Sequence, residues 1–165
     1  MSRTVRFMTS LPWPVHEVSR SLRGMAWSFP RLSGAAPTAN CFEVDLRVPV
    51  GAKGSVNHRA TVELGTYEPG PDICRLPVSI SASRSFPRFS GEFVSHDENG
   101  HTMLTLAGEY HMPLGVAGRV SGGSGLARAS LRRFFETAVD AIKRDLQATA
   151  PAWRPHAWPE TLRDA

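Results

Sequence analysis

The sequence is poor in cysteine and lysine and has no long apolar run. Cys41 and Cys74 stand far apart and form no Cys-x-x-Cys pattern, which excludes a disulfide framework and gives no structural zinc signature. No stretch approaches the roughly 20 apolar residues of a membrane span, and the opening MSRTVRFMTSLPWPV lacks the apolar core of a secretory signal. A cytoplasmic location is therefore expected. Lys53 and Lys143 are the only lysines, and the formal charge of +4 comes from arginines spread between Arg3 and Arg163. Nucleic-acid binding asks for basic residues gathered on one face with aromatics, so it is not expected. The catalytic signatures are missing as well: there is no Gly-x-Ser-x-Gly elbow, no His-Glu-x-x-His pair and no P-loop.

What is present is a soluble composition with 41% hydrophobic and 21% charged residues over 165 positions, enough for one core without staples. Two periodicities divide the chain. Val5 and Phe7 share a face of a first strand over Thr4 to Ser10, and LPWP stops it. Val15, Val18 and Leu22 then follow at helical spacing before Gly24. Met25 to Ala39 reads as a loop or broken second helix. From Cys41 the period is two. Phe42, Val44, Leu46 and Val48 form one apolar face, and Val56, His58, Ala60, Val62 and Leu64 form the next. Cys74, Leu76, Val78, Ile80 and Ala82 follow, interrupted by Pro77, which predicts an edge strand or a bulge. Phe89, Gly91 and Phe93 lead through Asn99-Gly100, a tight hairpin turn, to Thr102, Leu104, Leu106, Gly108 and Tyr110.

The last element is a helix over Leu126 to Leu146. Leu131, Phe134, Phe135, Ala138, Ile142 and Leu146 line one face, and Arg132, Arg133, Glu136, Asp140, Lys143 and Arg144 the other. The glycines of SGGSG at 121–125 predict a weak or broken helix there. Beyond Ala150, Pro151, Pro155 and Pro159 forbid a continuous helix, and Trp153 and Trp158 are expected to pack on the body. Strands followed by a long helix read as an α+β fold with an antiparallel sheet. Residues 1–149 form the domain and 150–165 a Pro/Trp-containing tail.

Several strings carry a family resemblance: Phe86-Pro87, Gly91, Gly100 with Thr102, Leu104 and Leu106, Gly108, Tyr110, then Pro113-Leu114-Gly115 and the closing helix. Over roughly Val56 to Leu146 the chain resembles the START-like, or SRPBCC, superfamily, most of all its uncharacterised bacterial members. The resemblance implies the helix-grip fold, a curved antiparallel sheet wrapped around the long C-terminal helix, with one or two short helices after the first strand. It also implies a cavity between sheet and helix, walled by His58, Val62, Ile80, Phe93, Leu106, Tyr110 and Phe134 or Phe135. The function expected is binding of a hydrophobic small molecule such as a lipid, polyketide or isoprenoid, without catalysis. An aromatase/cyclase-like enzyme using His58 and Tyr110 for proton transfer is the alternative, and a protein-interaction module acting through Trp153 and Trp158 is a third reading.

No metal or cofactor is expected. His96 and His101 flank Asp97 and Glu98, but a two-residue hairpin turn sets Glu98 opposite His101 and His96 opposite Met103, so these side chains do not converge. GVAGRVSGGSG lacks the Gly-Lys-Ser/Thr of a phosphate cradle and follows a turn instead of a parallel strand. His58 is the most informative polar residue, because it alone interrupts the apolar face of its strand. A histidine satisfied by backbone or water explains it equally simply.

Overall fold

The computed structural model describes residues 2–24, 40–50, 54–82, 88–111 and 123–149. Its strands are β1 (Ser2–Leu11), β2 (Cys41–Val50), β3 (Gly54–Leu64), β4 (Ile73–Ala82), β5 (Arg88–Glu98) and β6 (His101–His111). The helices are α1 (Val15–Arg23) and α2 (Gly123–Thr149). The strands form one antiparallel sheet in the order β1-β6-β5-β4-β3-β2, so the first strand crosses over to pair with the last. The curved sheet holds α2 against its concave face, as expected from the sequence. The segment 25–39, where a second short helix or a loop was expected, lies outside the described residues, as do 112–122 and the tail 150–165.

The apolar alternation of the sequence becomes the concave face. The register aligns Phe42, Val62, Ile80, Phe89 and Tyr110 across five strands, and Leu76, Phe93, Leu106 and Phe7 across four. All of these side chains are buried in one core. Full burial of each large one contributes roughly 1.5–3 kcal/mol. From α2 the core receives Leu131, Phe134, Phe135, Ala138, Val139, Ile142 and Leu146, at the three- and four-residue spacing that places them on one stripe.

α2 begins at Gly123, so Gly123 to Gly125 lie within the helix, while residues 121 and 122 of the glycine run lie outside the described residues. Gly123 to Gly125 occupy the first turn, where backbone N–H groups lack intrahelical partners and glycine forfeits little. The buried Ala127, Ser130 and Leu131 hold that end down.

Pro77 sits inside the sheet, on β4 between β3 and β5, yet the edge character expected of it is locally correct. The β3–β4 ladder stops at Leu64 with Val78, and Gly65 N–H donates to the Pro77 carbonyl at 2.8 Å. A strand residue's N–H and C=O point to the same side, so the donor that proline lacks would have faced Gly65, where the two strands part.

The β5–β6 turn has Asn99 and Gly100 at φ 55° and 83°, the left-handed pair of a type I′ hairpin. It pairs Glu98 with His101 and His96 with Met103 as expected.

α1 is tied to the sheet beside it. Its first N–H groups, from Glu17 and Val18, donate to the Pro14 carbonyl at 3.1 and 3.2 Å. The Thr102 hydroxyl, fully buried, donates to the Trp13 carbonyl at 2.6 Å and fixes the chain entering the helix. Replacing Thr102 by valine leaves that carbonyl without its donor, so a loss of about 1–2 kcal/mol in a chemical-denaturation midpoint series is expected.

Candidate functional site

The space between sheet and α2 is divided by two aromatic contacts. Phe134 lies on Phe93, with ring centroids 6.1 Å apart, and Phe135 stacks on Phe7 at 6.0 Å. Because Phe93 and Phe7 flank Leu106 in one row of the sheet, adjacent helix residues grip the two strands on either side of β6. Behind this row, Gly91 faces Gly108 across β5 and β6, and the Phe89 ring covers both glycines.

Seven of the eight residues expected to wall a cavity converge here. Val62, Ile80, Phe93, Leu106, Tyr110, Phe134 and Phe135 belong to one core and retain 0–5% of their surface. A void wide enough for water leaves accessible area on its walls, so the interior at Phe93 and Phe134 is filled by side chains in this conformation. The backbone of His58, on β3, pairs with Leu46 of β2; its side chain lies outside the described residues.

The register does not bring His58 and Tyr110 together. Tyr110 shares its row with Val62, three strands away and four residues along β3 from His58. At about 4.8 Å per strand and 3.3 Å per residue, the two backbones stand about 20 Å apart along the sheet.

The interface opens at the sheet edge. A groove of about 500 Å³ separates β1 from α2, lined by Phe7, Met8 and Thr9 on the strand and by residues from Arg132 to Lys143 on the helix. Phe135 is the one expected site residue that reaches it. Its ring is at once the floor of the groove and part of the core, so it stands between solvent and the concave face. Around that apolar floor lie Arg132, Arg133 and Lys143 with Glu136 and Asp140. Arg133 pairs with Glu136 at 3.5 Å, whereas the Arg132 guanidinium lies 5.9 Å from the centre of the Phe7 ring. The volume falls in the range of small-molecule sites, and the apolar floor is rimmed by charge, since Arg132, Arg133, Glu136, Asp140 and Lys143 make up half of the lining.

A second feature, absent from the sequence reading, lies at the α1 end. Ser19 on α1 and Ser95 on β5 share a hydrogen bond of 2.9 Å between buried hydroxyls. Cys74 and Tyr67 join them by hydrogen bonding, and Arg23 lies over the Tyr67 ring at 4.7 Å. Burial pushes the Cys74 thiol up, but hydrogen bonding with the Tyr67 hydroxyl, the Gly70 backbone and the Ser19 and Ser95 hydroxyls outweighs it and leaves the thiol below its ordinary value. The Tyr67 hydroxyl is raised, first by burial and then by its bond to the thiol. Since Tyr67 donates to the thiolate, Tyr67→Phe in a Cys41→Ser background should move the onset of thiolate ultraviolet absorbance to higher pH. The signal for this cluster was Ser95, an inward serine at the end of an apolar face.

The arrangement of strands around one long helix decides the comparison with solved structures. The chain has the helix-grip fold. A Thermus thermophilus protein, TTHA0849, is 17% identical, with 90% of this chain covering 100% of that one at a TM-score of 0.53. Ara h 8.0201 is 10% identical over 90% of this chain and 99% of its own, with a TM-score of 0.57. The ZhuI aromatase/cyclase from Streptomyces sp. R1128 is 18% identical over 92% and 98%, with a TM-score of 0.53. At these identities the likeness is one of fold. No family model and no curated protein matches the chain. Among the described residues of this helix-grip domain, no group of acids, histidines and cysteines is arranged to hold a metal, and no helix is long and apolar enough to cross a membrane.

Proposed function

We propose that this protein binds a hydrophobic small molecule between the sheet and α2, and that it does so without catalysis. The observation that carries the reading is the position of Phe135, which links an open groove of about 500 Å³ to a continuous apolar face. Lipids, polyketides and isoprenoids are the ligand classes that such a surface suits, and the fold shared with an aromatase/cyclase supports including a polyketide among those tested.

Because Phe134 and Phe93 pack closely at the centre of the described core, a ligand entering from the groove gains its volume by moving Phe135 and α2 away from β1. Val62, Ile80, Phe93, Leu106 and Tyr110 then become walls, with His58 of β3 as a further candidate. The register sets the His58 and Tyr110 backbones three strands and four residues apart, which supports binding over a shared proton-transfer pair.

The test is displacement of an environment-sensitive hydrophobic dye by a fatty acid, an isoprenoid alcohol and an aromatic polyketide. At least one should displace the dye with saturation, and Phe135→Ala should weaken it about tenfold, the effect of losing roughly 1.5 kcal/mol of apolar contact. Saturable binding that is indifferent to Phe135→Ala would place the ligand elsewhere; no displacement by any class contradicts the reading.

A further inference from the structure

The charges that rim the groove do not balance. Arg132, Arg133 and Lys143 stand against Glu136 and Asp140. Arg133 takes Glu136 at 3.5 Å, and among the described residues neither Arg132 nor Lys143 has an acid within ion-pair distance. Two cations therefore remain against Asp140, a surplus of one positive charge. Asp140 lies about 5 Å along the helix axis from Lys143 but about 12 Å from Arg132, so its field offsets the lysine and leaves the surplus at the arginine.

Arg132 also stands where polar and apolar surfaces meet. Its guanidinium lies 5.9 Å from the centre of the Phe7 ring, on which Phe135 stacks. One turn separates Arg132 from Phe135 on α2, so the two side chains neighbour each other on the helix surface. A molecule that enters by displacing Phe135 passes this cation on the way. We propose, resting on ligand binding at this groove, that the bound molecule is an amphiphilic monoanion, an apolar chain or ring system ending in a carboxylate, and that Arg132 holds the carboxylate at the mouth while the apolar part passes Phe135.

The chemistry of the rim selects this head group. A guanidinium presents two parallel N–H groups that match the two oxygens of a carboxylate. Taking that charge into the apolar interior is costly, so the head stays at the rim and the molecule enters tail first. An uncharged hydroxyl head gains no ion pair. A phosphate monoester carries about −1.5 to −2 near neutral pH, more than the surplus, and Asp140 repels the excess. Arg132 is exposed, so solvent and salt screen its pull, and the preference expected is about fivefold, the upper end for an exposed ion pair.

Decanoic acid, decanol and decyl phosphate share one chain and differ in the head, and their displacement of the neutral dye Nile red at mildly alkaline pH tests the proposal. Decanoic acid should bind about fivefold more tightly than decanol, and decyl phosphate no more tightly than the acid. The preference for acid over alcohol should shrink as salt is raised and vanish in Arg132→Gln. It should persist in Arg144→Gln, which removes an exposed cation of the same helix outside the groove lining. Decanol matching the acid, decyl phosphate exceeding it, or a preference that survives Arg132→Gln or disappears in Arg144→Gln would overturn the proposal and leave apolar binding at the groove standing. Failure of all three molecules to displace the dye would overturn both.

Discussion

Gly108→Val should cost this protein about 3 kcal/mol or more and lower its thermal midpoint by about 6–12 °C. A Cβ at position 108 would stand 2.5 Å from the Gly91 Cα and 2.8 Å from the Phe89 ring, and closer still to the Ser90 carbonyl oxygen. Two of those three atoms are backbone of the paired strand, so no side-chain rotation relieves the clash. The opposed glycines let β5 and β6 bend beneath Phe89, and the inward curve that receives α2 depends on them. Gly100→Ala is the informative contrast. Its φ of 83° strains an L residue, but nothing lies within 4 Å of the added carbon, so only the left-handed penalty of about 1–2 kcal/mol is expected. Differential scanning calorimetry of both variants separates a blocked curvature from a strained turn; equal losses would remove the special role of position 108.

Phe134→Ala should be comparably severe, at about 3–5 kcal/mol, because a fully buried aromatic ring is removed and only part of the void collapses. The ring it leaves without a partner is Phe93, at the centre of the sheet. Urea unfolding read by circular dichroism measures the loss. The same substitution opens space on the concave face, so an apolar ligand that binds there should recover part of the lost stability by mass action. A loss below about 1 kcal/mol would mean that the helix is not held by this contact.

The sheet and the long helix were readable because both are built from one-sided apolar faces, and a period of two or of three and four survives in the sequence unaided. Val62, Ile80, Phe93 and Leu106 could be assigned to the inner face by alternation alone, and the register agrees. The start of α2 was not readable. Glycines argue against a helix, and only the burial of Ala127 and Leu131 reveals what holds that turn. Tyr67, Cys74, Ser95 and Ser19 come from four segments, so no spacing announces their hydrogen bonds. The groove was equally hidden: Phe7 lay on the apolar face of its strand and Phe135 was a candidate cavity wall, and their stacking depends on the crossing of α2 over β1. The resemblance also implied a cavity between sheet and helix, and among the described residues the opening that can be placed is the groove at the edge, between β1 and α2.

The most direct measurement is native mass spectrometry of the full chain, first as purified and then after organic extraction and titration with a fatty acid, an isoprenoid alcohol and an aromatic polyketide. The account predicts a one-to-one adduct of an apolar molecule that extraction removes and one of these ligands restores with saturation. A bare protein mass before and after every titration would contradict it.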